Sequence, residues 1–137
     1  MALTPADEAD LAVMREQLGR PMRGVVGVAA RCVCGNPTVV ATAPRLPDGT
    51  PFPTFYYLTH PAATAALSVL EAGHVMAELQ AELADDEDLA AAYRGAHEAY
   101  LADRARFGDV PEIAGISAGL RNASTMSTGP GIAAIDG

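Results

Sequence analysis

The sequence predicts an α+β fold. A small antiparallel sheet of about three strands, within residues 24–58, packs against an N-terminal helix and two to three C-terminal helices. Three observations carry this expectation. Apolar residues recur at helical spacing near the start of the chain. Short β-branched and aromatic runs, separated by turn residues, fill the middle. Longer Ala- and Leu-rich segments of helical period follow.

The first helix is marked by Thr4 as an N-cap and Pro5 at the first helical position, where a missing N–H costs nothing. Asp7 and Glu8 place negative charge at the positive helix end. Leu11, Met14 and Leu18 form one apolar stripe, and Gly19 followed by Pro21 ends the helix. Residues 24–31 and 38–42 read as two strands joined through Gly35, Asn36 and Pro37, which makes a hairpin the simplest arrangement. Residues 44–53 form a stiff loop, because four prolines fix φ there and Asp48-Gly49 is a turn dipeptide. Residues 54–58 then read as a third strand.

Thr59 and Pro61 open a second helix with a stripe of Ala63, Ala66, Leu67 and Leu70, ending at Gly73. Met76, Leu79 and Leu83 mark another. The acidic run Asp85-Asp86-Glu87-Asp88 starts a longer helix, in which Leu89, Tyr93, Ala96 and Tyr100 repeat on one side. Residues 1–116 are expected to form a single domain. Residues 117–137, rich in Gly, Ser and Ala and without periodicity, are expected to be a poorly ordered tail.

Composition narrows the function. The chain of 137 residues suits one domain, and half of it is hydrophobic, much of that Ala, so one small-residue core is feasible. The formal charge is −8, and every basic residue is Arg. An acidic surface repels phosphate backbones and anionic bilayers, so neither nucleic acid nor membrane is expected as a partner. Asp7, Glu8 and Asp10 interrupt any secretory apolar core, and no apolar run reaches membrane-spanning length, so the expected location is cytoplasmic. Two cysteines make no disulfide framework, and thiols in that compartment stay reduced.

Several residues can carry chemistry. Cys32 and Cys34, at i and i+2 on a strand, point the same way and can supply half of a tetrahedral zinc site, with His97 among the imidazoles that can complete it. The plainer alternative is two small buried hydrophobes. In the proline-rich loop, Arg45, Asp48 and Thr50 can address a polar ligand with Arg31 nearby, or the loop merely aims the third strand. Tyr56 and Tyr57 alternate to opposite faces, one expected in the core and one exposed. His60 at a helix start is a base, a ligand or a capping residue.

The segments Gln17-Leu18-Gly19-Arg20-Pro21, Arg23-Gly24, Arg31-Cys32-Val33-Cys34-Gly35, Pro44-Arg45-Leu46, Asp48-Gly49-Thr50-Pro51-Phe52-Pro53-Thr54, Tyr56-Tyr57-Leu58-Thr59 and Leu70-Glu71-Ala72 together resemble bacterial domain-of-unknown-function family 501 (DUF501) over about residues 1–119. The resemblance implies no assigned activity. It implies a continuation after the Ser-Ala-Gly stretch into a segment bearing Cys and His, from which this chain departs after Gly119. The expected function is non-enzymatic binding of a protein partner or small anionic ligand at Arg31, Arg45, Asp48, Thr50, Tyr56 and His60. One alternative is an enzyme of a small anionic substrate, with Arg31 and Arg45 holding the anion and His60 or Cys32 reacting. Another is zinc binding through Cys32 and Cys34.

Overall fold

The computed structural model describes residues 2–116. Its elements are α1 (Glu8–Leu18), β1 (Val25–Arg31), β2 (Pro37–Thr42), β3 (Tyr56–Leu58), α2 (Pro61–Ala72), α3 (Val75–Asp85), α4 (Glu87–Ala105) and a 3₁₀ turn at Pro111–Ile113. The sheet is antiparallel in the order β1-β2-β3. The α+β architecture expected from the sequence is therefore present. The expected tail at 117–137 lies outside the described residues.

Strand alternation sorts the sheet's two faces. Val28, Val40 and Tyr57 are register partners and share one face, where Val28 and Val40 meet Met14 of α1 in a core trio. Met14 and Val40 are wholly buried, and Tyr57, Met22, Val25 and Ala6 pack around them. Ala41 and Tyr56, one residue along, belong to the other face. There Tyr56 and Phe55 stack edge-on with Tyr100 of α4. Both tyrosines of the pair 56–57 are thus half-buried under different helices, rather than one in the core and one in solvent.

Two helix starts differ from their expected positions. α1 is capped by Asp7, whose side chain accepts from the Asp10 amide at 2.8 Å while Asp10 accepts from the Asp7 amide at 3.1 Å. Thr4, the expected cap, instead extends the sheet: its amide and carbonyl both bond to Val28, at 2.9 and 2.8 Å. α2 is capped by His60, not Thr59, which is buried against β2 with its amide on the Thr38 carbonyl. The long helix α4 begins where the acidic run predicts, with Asp86 accepting from the Leu89 amide at 3.0 Å. Its inward residues are His97 and Arg104, with Tyr93 and Tyr100 half-buried beside them, whereas Ala96 is exposed. Tyr100 and Arg104 occupy this stripe because they bond to backbone. The Tyr100 hydroxyl accepts from the Phe55 amide at 2.5 Å and donates to the Pro53 carbonyl at 3.0 Å. The Arg104 guanidinium reaches the carbonyls of Pro53, Ile113 and Ile116 at 2.5–3.1 Å.

α2 and α3 bury no side chain, and Leu67, Val69, Leu70 and Leu79 stay 41–71% exposed. Among the described residues, no helix is long and apolar enough to cross a membrane.

The first strand is fastened to the first helix by charge. The Arg31 guanidinium grips Asp10 through two nitrogens, at 2.7 and 2.9 Å. Those hydrogen bonds hold the Asp10 carboxyl at about 2, below its ordinary 3.8, against the opposing effect of burial. A carboxyl lowered in the folded state stabilises the fold above the unfolded value and loses that contribution as the pH falls through the folded one. Acid unfolding is therefore expected to steepen between about pH 4 and pH 2. Asp10→Asn should flatten that part of the curve and cost about 1–2 kcal/mol at pH 7, less than the full linkage value because water reaches the Arg31 side of the pair. Urea melts at stepped pH check both. Tyr100→Phe should cost about 1–3 kcal/mol, since it leaves the buried Phe55 amide without its acceptor.

Candidate functional site

The connection from α1 to β1 is short and constrained. Gly19 ends the helix in the left-handed region (φ 73°), Pro21 follows, and Gly24 turns again at φ 68°, with its carbonyl on the Ala43 amide at 2.7 Å. Between the two glycines, Arg20, Met22 and Arg23 are set against the start of the β2–β3 crossing.

That crossing, 43–55, is a closed loop. The Leu46 amide bonds to the Thr50 carbonyl and the Gly49 amide to the Leu46 carbonyl, both at 2.8 Å, and Gly49 takes φ 89° as a turn glycine must. The Phe52 amide returns to the Pro44 carbonyl at 2.7 Å. Leu46 and Phe52 consequently face back toward the α1–β1 connection. The cavity between has a volume of about 250 Å³ and is lined by Arg20, Met22, Arg23, Leu46, Phe52 and Tyr57. The Arg20 guanidinium donates to the Tyr57 hydroxyl at 3.1 Å. Neither Arg20 nor Arg23 has a carboxylate within ion-pair distance among the described residues. In a chain of net charge −8, two such guanidiniums make a local positive spot with apolar walls.

The residues singled out from the sequence are placed as follows. Arg31 is held by Asp10 and also donates to the Gly35 carbonyl at 3.0 Å. Arg45 makes a two-pronged pair with Glu112, at 3.0 and 2.9 Å, and donates to the Gly49 carbonyl. Arg31 sits at the β1 end paired with Pro37, whereas the loop bearing Arg45 leaves the opposite end of the hairpin, where Val25 pairs with Thr42. Asp48 accepts from the Thr50 amide at 3.0 Å, a bond that closes the loop tip. That bond holds the Asp48 carboxyl below its usual range, and the charge of Arg23 adds to the effect. His60 accepts from the Ala63 amide through Nδ1 at 3.2 Å. Tyr56 donates to Asp103 at 2.5 Å. These side chains do not meet at one place.

Cys32 and Cys34 lie on the turn between β1 and β2 rather than within a strand, one half-buried and one exposed, and are joined to each other as a disulfide. They are neither the free thiols nor the buried strand hydrophobes expected. His97 is buried on α4. Among the described residues, no three His, Cys, Asp or Glu side chains gather closely enough to hold a metal ion.

A family model described as a protein of unknown function, DUF501, matches residues 28–136. The chain belongs to that family. No curated protein and no solved structure is detectably similar to it. The DUF501 match continues past Gly119, so the departure read there from the sequence does not end the family resemblance. Of the cavity lining, Leu46, Phe52 and Tyr57 lie within the matched span, and Arg20, Met22 and Arg23 precede it. Sequence reasoning missed these two arginines as site residues. Their signal was a dense one: two cations around a proline, bracketed by two glycines.

Burial, and then the hydrogen bond to Asp103, push the Tyr56 phenol up to about 12. A group raised in the folded state supports folding below its unfolded value, and that support fades as the pH climbs from about 10 toward 12. Ultraviolet titration should show one tyrosine ionising near the upper value. Asp103→Asn should bring that midpoint down toward 10.

Proposed function

We propose that this DUF501 protein is a cytoplasmic, non-enzymatic binding protein for a small anionic molecule with an apolar or aromatic part. The ligand sits between the α1–β1 connection and the β2–β3 crossing. One observation carries the reading: Arg20 and Arg23 border a cavity of about 250 Å³ walled by Met22, Leu46, Phe52 and Tyr57, and no carboxylate among the described residues lies within ion-pair distance of either.

The chemistry follows from the lining. A guanidinium presents a planar fork of N–H donors that matches phosphate, sulfate or carboxylate oxygens. Met22, Leu46 and Phe52 offer no hydrogen bonds, so they favour an apolar body attached to the anion. The volume suits a ligand of modest size, smaller than the usual drug-sized pocket. Two closed connections form the walls, so little ordering entropy is lost on binding. The lining contributes cations, apolar groups and one phenol, a set that grips and orients. Arg31 and Arg45, the anion holders first expected, each already hold a carboxylate. That commitment favours Arg20 and Arg23 for the role.

Phenyl phosphate combines the two features and is the probe of choice. Calorimetric titration of the purified protein should give saturable one-to-one binding, tighter than inorganic phosphate. Arg20→Gln with Arg23→Gln should weaken it by about tenfold or more, the worth of roughly one charge-assisted hydrogen bond. Arg94→Gln, on the exposed side of α4, should leave it unchanged. Equal affinity of wild type and the double variant, or no binding of phenyl phosphate at all, would contradict the reading.

A further inference from the structure

We propose that Cys32 and Cys34 form a reversible dithiol–disulfide couple that exchanges with a low-molecular-weight thiol, a site separate from the anion cleft. Three features of the turn distinguish this pair from a structural cross-link.

The bond ties nothing that is not already tied. Both cysteines lie on one turn, with a single residue between them, so the loop they close is among the shortest possible. A cross-link removes little freedom from an unfolded chain when its loop is this short. The hairpin has its own fastenings. The Cys32 amide bonds to the Asn36 carbonyl and the Gly35 amide to the Cys32 carbonyl, each at 2.9 Å, and Arg31 holds the Gly35 carbonyl at 3.0 Å. Opening the S–S bond leaves all of these in place.

The bond is also within reach. Cys34 is exposed, and Val33 at the turn apex is fully in solvent, so an incoming thiolate meets no barrier of packed side chains. Exposed disulfides are the labile ones.

Finally, the two sulfurs differ in a way that assigns roles. The Cys34 amide donates to the Cys32 sulfur at 3.2 Å. A hydrogen bond to sulfur stabilises the thiolate form and makes it the better leaving group. The external thiolate therefore attacks Cys34 Sγ and forms a new S–S bond to it. The Cys32–Cys34 bond breaks, and its electron pair leaves on Cys32 Sγ, which takes a proton from water. A second thiolate then attacks the sulfur of the first reductant in the mixed disulfide. This releases Cys34 as a thiolate, later protonated, and the reductant as its own disulfide. Two electrons and two protons enter the protein, and two reductant thiols become one disulfide.

The full-length protein equilibrated in glutathione buffers of graded ratio, quenched with iodoacetamide and weighed by mass spectrometry, tests this. The expected result is a smooth, reversible passage between zero and two alkylated cysteines, with the thermal melt shifting little between the end states. The mixed disulfide tests the assignment of roles: when reduction by glutathione is quenched part-way with iodoacetamide, peptide mapping should find glutathione on Cys34 and the alkyl group on Cys32 about tenfold more often than the reverse. The proposal is overturned if the pair stays unalkylated until the protein is unfolded, or if its reduction unfolds the chain. Equal amounts of the two mixed disulfides, or an excess of glutathione on Cys32, overturn the assignment of Cys34 as the attacked sulfur.

Discussion

The hydroxyl of Tyr100 sits between the Phe55 amide and the Pro53 carbonyl, and the arrangement of everything around the cleft depends on that bracket. It joins α4 to the last residues of the β2–β3 crossing. Arg104, one turn further along, takes the same Pro53 carbonyl and adds those of Ile113 and Ile116. Together they fix where the crossing re-enters the sheet. Phe55, wholly buried, packs against the rings of Tyr100 and Phe107 from that position. With its exit fixed by α4 and its entry fixed by Ala43 on the Gly24 carbonyl, the crossing has little freedom left, and Leu46 and Phe52 are held opposite Arg20 and Arg23.

Charge is distributed with a similar logic. Arginine supplies every cation in the sequence, and a guanidinium is never neutral near physiological pH, so each one must find oxygen or water. Arg31 takes Asp10, Arg45 takes Glu112, and Arg104 takes backbone carbonyls in a buried place. The exposed Arg45–Glu112 pair contributes little to stability by itself, as surface pairs do, but it closes the crossing against the 3₁₀ turn. Arg20 and Arg23 stand apart because the loop facing them presents apolar side chains and, at its tip, an Asp48 already bonded to the Thr50 amide.

The fold was largely legible in the sequence because its signals are local. The Asp48-Gly49 turn, the Gly19 stop and the acidic start of α4 each act over a few residues, and each is where the pattern puts it. The errors arose where a distant partner outbid a local preference. Thr4 gave up capping for a bridge to Val28, twenty-four residues away, and left the cap to Asp7. Ala96 lies outside the inward stripe of α4, where Arg104 is buried because the neighbouring backbone offers it carbonyls. The candidate site was less legible for the same reason. Whether an arginine is committed or available depends on which carboxylate the fold brings to it, and neither the Asp10–Arg31 nor the Arg45–Glu112 pairing has a mark in the local sequence. The cysteines misled through geometry: a strand was expected to point both sulfurs one way, but the hairpin turn begins at Cys32.

The central claim is that the cations facing the cleft, and not those nearer the conspicuous motifs, are the ones that meet a ligand. Nitrogen-detected NMR of the arginine side chains during addition of phenyl phosphate tests it most directly, since the guanidiniums are all reported at once. Saturable shifts are expected at Arg20 and Arg23, with Arg31, Arg45 and Arg104 unmoved. Shifts centred on Arg31 or Arg45, or small uniform changes across every arginine, would contradict it.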